Sequence, residues 1–159
     1  MSNVKVKVCG ISNPEMVKQL VKLELDFIGF IFYKKSPRYV SNQIAKNLLN
    51  IDFSNTRPVC VYVNPTKDYV LETSSYFDNP ILQFHGEEPE SFCNSFNLEY
   101  WKAIRVKNSS SFAEILSYQS AKAILLENHK DGLYGGTGEV FDWSLIKGHG
   151  HQNKKIILS

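Results

Sequence analysis

Three segments of this chain carry side chains that could act on a small polar molecule. Lys7-Val8-Cys9-Gly10-Ile11 sets a thiol at the end of an apolar run, and Tyr33-Lys34-Lys35-Ser36-Pro37-Arg38-Tyr39 sets a guanidinium in a proline-bearing loop. Tyr134-Gly135-Gly136-Thr137-Gly138 is a glycine-rich loop followed by Glu139-Val140-Phe141-Asp142-Trp143. A free thiol ionises near ~8.5, which suits a base working not far from neutral pH. A guanidinium donates two parallel hydrogen bonds to a planar carboxylate. Glycines allow positive φ and a close backbone approach to a ligand. The plainer readings are an inert buried cysteine, an exposed surface arginine and a merely flexible loop. Their common position, each after a strand-like run, favours chemistry. Parallel β/α folds work at the C-terminal ends of their strands, where such groups share one rim.

The elements that must position these groups follow from the apolar pattern. Strand-like runs recur at Val4–Val8, Phe27–Ile31, Val59–Val63, Ile81–Phe84, Tyr100–Ile104, Ala123–Leu126 and Lys155–Leu158. Between them, Pro14–Leu25 has Met16, Val17, Leu20, Val21 and Leu25 at helical spacing, with Asn13 as N-cap and Pro14 at the first helical position. Asn42–Leu49 after Ser41, Thr66–Tyr76, Pro89–Phe96 and Ser111–Tyr118 are the other expected helices, with Ser109 or Ser110 capping the last. Strands alternating with helices imply parallel strands joined by crossovers, and short apolar strands fit burial on both faces. The architecture is α/β, either a (β/α) barrel or an open doubly wound sheet. Parity along the first run puts Lys5, Lys7 and Cys9 on one face, opposite Val4, Val6 and Val8. Lysines are costly to bury under helices. That face therefore lines a barrel axis, with Lys7 a layer beneath Cys9, or belongs to a solvated edge strand.

At 159 residues and 43% hydrophobic, the chain suffices for one domain with a core. A net charge of +2, with only Lys34, Lys35 and Arg38 clustered, gives no argument for nucleic acid. No apolar run reaches the ~18 residues of a membrane span, and the N-terminus lacks a signal-peptide core. Cys9, Cys60 and Cys93 are odd in number and widely spaced, so reduced thiols in the cytoplasm are expected. His149 and His151, with no carboxylate or cysteine nearby, read as a solvated loop rather than a metal site.

Taken together, the motifs resemble the phosphoribosylanthranilate isomerases of tryptophan biosynthesis. They are Lys7-Val8-Cys9-Gly10-Ile11, Gly29-Phe30-Ile31-Phe32, Ser36-Pro37-Arg38-Tyr39, Val61-Tyr62-Val63-Asn64, Gln83-Phe84-His85-Gly86-Glu87-Glu88, and Gly135 to Gly138 with Phe141-Asp142-Trp143. They occur in the family's order, from Val4 to Ser159. The resemblance implies a (β/α)8 TIM barrel and an Amadori rearrangement of an N-aryl ribosylamine phosphate to an aryl-amino deoxyribulose phosphate. It implies no cofactor and no metal. The partner is a small phosphorylated substrate, not nucleic acid or a membrane, and the protein is expected to be a monomer or homodimer.

The resemblance also implies roles. Cys9 corresponds to the general base and Arg38 to the residue that holds the anthranilate carboxylate. His85 would line the rim, with a hydrogen-bonded structural histidine as the plainer reading. Gly135 and Gly136 would approach the substrate. Where the family carries Asp as general acid after the sixth strand, this chain has Glu127. Three readings stay open: Glu127 serves with a shifted backbone, which is favoured; Asp131 reaches in from the following loop; or the acid is impaired. The plainer reading of Glu127 is a solvated residue at a loop start.

The family holds its phosphate mainly on glycine-rich backbone after strands seven and eight. Residues 1–159 read as one (β/α) barrel domain ending after a seventh strand, its C-terminal part missing, so these residues alone are expected to bind phosphate poorly. The alternatives are another phospho-sugar barrel enzyme and a non-catalytic fragment or interaction module.

Overall fold

Every strand expected from the apolar runs forms. The structure, a computed structural model, describes residues 4–106, 109–128 and 154–158. The strands are β1 (Lys7–Cys9), β2 (Phe27–Ile31), β3 (Arg57–Tyr62), β4 (Ile81–Phe84), β5 (Tyr100–Val106), β6 (Ala123–Asn128) and β7 (Lys155–Leu158). Their order follows the chain, β1-β2-β3-β4-β5-β6-β7. That excludes the open doubly wound sheet, which requires a reversal of strand order. The chain divides into two compact units, Met1–Leu82 and Gln83–Ser159.

In the first unit, β1 pairs in parallel with β2, matching Lys7 to Phe27 and Cys9 to Gly29, and β2 pairs with β3. The first strand begins at Lys7 rather than Val4. Val4 and Val6 are exposed, and the Val6 amide bonds the Asp26 carboxylate at 2.8 Å instead of a neighbouring strand. Helix α1 (Pro14–Val21) starts as expected, with Asn13 accepting from the Glu15 amide at 2.9 Å. It stops short of Leu25 because Glu24 takes a left-handed conformation, φ 53°, which ends a helix. Helix α2 (Asn42–Leu48) is capped by the Ser41 hydroxyl, and α3 (Lys67–Ser74) by that of Thr66. The helix-side faces of β2 and β3 bury an aromatic cluster. Phe30 stacks on Phe77 at 4.9 Å between centroids and Phe32 on Tyr62 at 5.7 Å, while the Tyr62 hydroxyl meets that of Thr73 at 2.8 Å.

In the second unit, β5 pairs in parallel with β6, and β6 with β7. The helix expected over Pro89–Phe96 is one turn, α4 (Glu90–Cys93), continued as a 3-10 turn, Asn94–Phe96, that Asn97 ends at φ 53°. Ser109–Ser117 is a 3-10 run where an α-helix was expected. Phe84 packs against Phe92 and Phe96, both 5.8 Å away. Among the described residues no helix is long and apolar enough to cross a membrane, and no group of three or more His, Cys, Asp or Glu is placed to hold a metal.

Candidate active site

Within the first unit, Cys9 and Arg38 come together. Cys9 is the last residue of β1 and is partly buried. Gly10 follows at φ +85°, and its amide and that of Ile11 both bond the Gly29 carbonyl, at 2.9 and 3.2 Å. Arg38 Nη1 donates to the Cys9 carbonyl at 3.1 Å. Two glycines make this packing possible. A Cβ on Gly10 would lie 2.6 Å from Arg38 Nη1, and one on Gly29 would lie 2.6 Å from Cys9 Sγ and 3.1 Å from Lys7 Cε. Lys7 and Cys9 thus converge on one face over Gly29, as parity required. Lys5, by contrast, precedes the strand, is largely exposed, and sits 3.8 Å from the Asp26 carboxylate.

The other two cysteines are not rivals for this role. Burial pushes the Cys60 thiol far up. Burial, then the Glu88 carboxylate nearby, push Cys93 up to about 12.

Within the second unit, His85 and Glu127 come together. Glu127 lies inside β6 and is 3% exposed, so it is not the solvated loop residue of the plainer reading. His85 Nε2 is 2.7 Å from Glu127 Oε1, and Gln83 Nε2 is 3.1 Å from His85 Nδ1. An amide nitrogen only donates, so Nδ1 accepts and the ring proton sits on Nε2, donated to Glu127. The other carboxyl oxygen, Glu127 Oε2, is buried with no hydrogen-bond partner among the described residues. A buried oxygen left without a partner is expensive, and such atoms concentrate where a ligand supplies the missing contact. Arg105 is the β5 register partner of Glu127 and pairs with the Glu87 carboxylate.

Sequence reasoning did not assign Gln83, Arg105 or Lys102. Gln83 carried a usable signal, since residues two apart in a strand share a face and Gln83 precedes His85 by two. Gly135, Gly136, the alternative acid Asp131, and His149 and His151 lie outside the described residues.

The thiol ends β1, the imidazole follows β4 and the carboxyl stands near the end of β6, each at the C-terminal end of a parallel strand. That placement defines the class of (β/α)8-barrel enzymes, and β1–β7 supply seven strands of that fold. The sequence matches the family N-(5'-phosphoribosyl)anthranilate (PRA) isomerase over residues 6–159. It is 41% identical over 144 residues to the N-(5'-phosphoribosyl)anthranilate isomerase of Nitrosomonas europaea, covering 90% of this chain and 68% of that relative. Its fold is similar to that of phosphoribosyl anthranilate isomerase from Thermotoga maritima, with a TM-score of 0.84 and 35% identity over 99% of this chain and 77% of that one. A phosphoribosyl anthranilate isomerase in complex with reduced 1-(o-carboxyphenylamino)-1-deoxyribulose 5-phosphate is similar as well, with a TM-score of 0.79 and 32% identity over 98% of this chain and 75% of that one. The chain belongs to the N-(5'-phosphoribosyl)anthranilate isomerase family.

Proposed function

We propose that this protein isomerises N-(5-phosphoribosyl)anthranilate to 1-(2-carboxyphenylamino)-1-deoxyribulose 5-phosphate in tryptophan biosynthesis, with Glu127 as general acid and Cys9 as general base. The observation that carries this reading is the state of Glu127. One oxygen is gripped by an imidazole N–H, and the other is buried with no partner among the described residues. Oε2 is thus the oxygen from which Glu127, as general acid, would deliver a proton to a substrate.

The chemistry begins with two proton transfers. Glu127 gives its Oε2 proton to the ribose ring oxygen as the bond from that oxygen to C1′ breaks. The nitrogen lone pair fills the gap and an open-chain iminium results. The Cys9 thiolate then takes the proton from C2′, the C2′–H electrons move into a C1′–C2′ double bond, and the iminium becomes a neutral enolamine. In the tautomerisation that follows, C1′ gains a proton, the C2′ hydroxyl loses one to give the ketone, and Cys9 and Glu127 return to their starting protonation states. Each transfer needs a positioned group and no redox partner. Arg38, already oriented by its bond to the Cys9 carbonyl, retains further N–H donors for the anthranilate carboxylate. Gly135 and Gly136, outside the described residues, complete the proposed substrate-binding set.

Of the readings open for the acid, we favour Glu127 itself over an impaired site, because the His85 contact holds the longer side chain in one place. We place the protein in the cytoplasm, where three free cysteines remain reduced, as a monomer or homodimer.

The test is chromatographic separation of substrate from its isomer after incubation with the purified protein. Turnover that disappears in Cys9→Ala while the product analogue still binds supports the assignment. Unchanged turnover in Cys9→Ala removes Cys9 as base, and a folded protein with no turnover removes the activity.

A further inference from the structure

Lys102 stands in the middle of β5 and is 1% exposed, on the strand face opposite Arg105 and Glu127. A buried ammonium is costly unless its charge is paired and its donors used. Both conditions hold. The Glu88 carboxylate, itself buried, is 3.5 Å away. The three donors reach three backbone carbonyls, those of Gly86 at 2.6 Å, Ala103 at 3.0 Å and Phe84 at 3.4 Å. Two of these carbonyls belong to the residues immediately before and after His85. Glu88 closes the same turn by accepting the Gly86 amide on both oxygens, at 3.0 and 3.2 Å. Tyr118 anchors it from outside, donating to the Glu88 carbonyl at 2.9 Å and placing its ring 5.4 Å from the ammonium.

An apolar side chain of the same length would fill this space without a charge to neutralise. What lysine adds is a grip on the backbone at both flanks of His85, while the ring of that residue projects to Glu127. We propose that Lys102 is a positioning residue for the isomerisation. It clamps the Phe84 and Gly86 carbonyls, fixes the His85 ring, and so aims Oε2 of Glu127. The inference rests on Glu127 being the general acid.

The experiment pairs Lys102→Met with Glu88→Gln in one protein, so that no uncompensated charge remains in the core, and reads two quantities. The first is the NMR signal of the proton on His85 Nε2, which its bond to Glu127 should shift downfield and protect from exchange. The second is the kcat and KM split. The expected result is a folded double variant whose His85 signal is lost or broadened, with kcat lower by about 10- to 100-fold, the scale of a ~1 Å misplacement, and KM changed much less. A folded double variant with the wild-type His85 signal and kcat overturns the proposal, since a purely structural lysine would leave both untouched once stability is matched. If the double variant does not fold, Glu88→Gln alone decides. It keeps the three carbonyl bonds and should keep the His85 signal despite a lower Tm, and loss of that signal would assign the role to the carboxylate instead. The NMR arm needs no turnover. An inactive wild type with a clamped His85 would therefore fault the isomerase reading and leave the clamp standing.

Discussion

Cys9 Sγ stands 2.6 Å from the point where a side chain on Gly29 would begin. The contact follows from the register that pairs the two residues across β1 and β2. Gly29→Ala must push the thiol aside or spread the strands, since the Cys9 Cα is also only 3.2 Å from that point. The variant should lose about 1–3 kcal/mol of stability, as overpacked sites do. It should also lose more activity than an unfolding curve explains, and wild-type kcat in Gly29→Ala would show that the thiol position is not critical.

Alkylation should single out one cysteine. Cys60 and Cys93 are buried, and burial holds both thiols protonated well above pH 8, Cys93 up to about 12. Iodoacetamide on the folded protein, followed by peptide mass mapping, should modify Cys9 first and abolish turnover in proportion. Labelling of Cys93 at the same rate would contradict its burial.

Glu127→Gln keeps the shape of the proposed general acid and removes the proton it would transfer. Its kcat should fall by about 10²- to 10⁴-fold, the usual contribution of a positioned acid. Glu127→Asp keeps the carboxyl, yet it withdraws it from His85 and should cost about 10²-fold. An Asp variant as fast as the wild type would mean that the His85 contact is dispensable.

Gly10→Ala places a methyl group against Arg38 at a backbone φ of +85°. The conformation alone costs about 1–2 kcal/mol. Because Arg38 is proposed to bind rather than react, the displaced guanidinium should raise KM more than it lowers kcat.

Tyr62→Phe deletes the hydrogen bond to the Thr73 hydroxyl in the buried aromatic cluster. Thr73 keeps its own bond to the Tyr69 carbonyl at 2.6 Å, while the buried Cys60 thiol also loses its contact with the Tyr62 hydroxyl. A loss of about 1 kcal/mol is expected, lowering Tm by about 2–4 °C, with kcat unchanged.

Strands were the legible part of this fold, because Phe27–Ile31, Ile81–Phe84 and Lys155–Leu158 are apolar runs whose ends coincide with the observed elements. Helix ends were less so. Leu25 continues the helical spacing, but Glu24 leaves the helix through a backbone conformation that no side-chain pattern announces. Cys9 and Arg38 were readable from local motifs. Lys102 was not, because a lysine in a strand ordinarily points to water. It is buried here because carbonyls 16 and 18 residues earlier receive its ammonium. The tie between His85 and Glu127, 42 residues apart, is equally invisible to any local window.

Strand order that follows the chain has a consequence for biosynthesis. Each new strand of the first unit pairs with the one just made, so little chain must be looped out at any step. Domains generally fold as units, N-terminal first, as the ribosome extends the chain. The half that holds Cys9 and Arg38 ends at Leu82, before the codon for Glu127 is read. The residues around Cys9 are therefore synthesised well before the proposed acid.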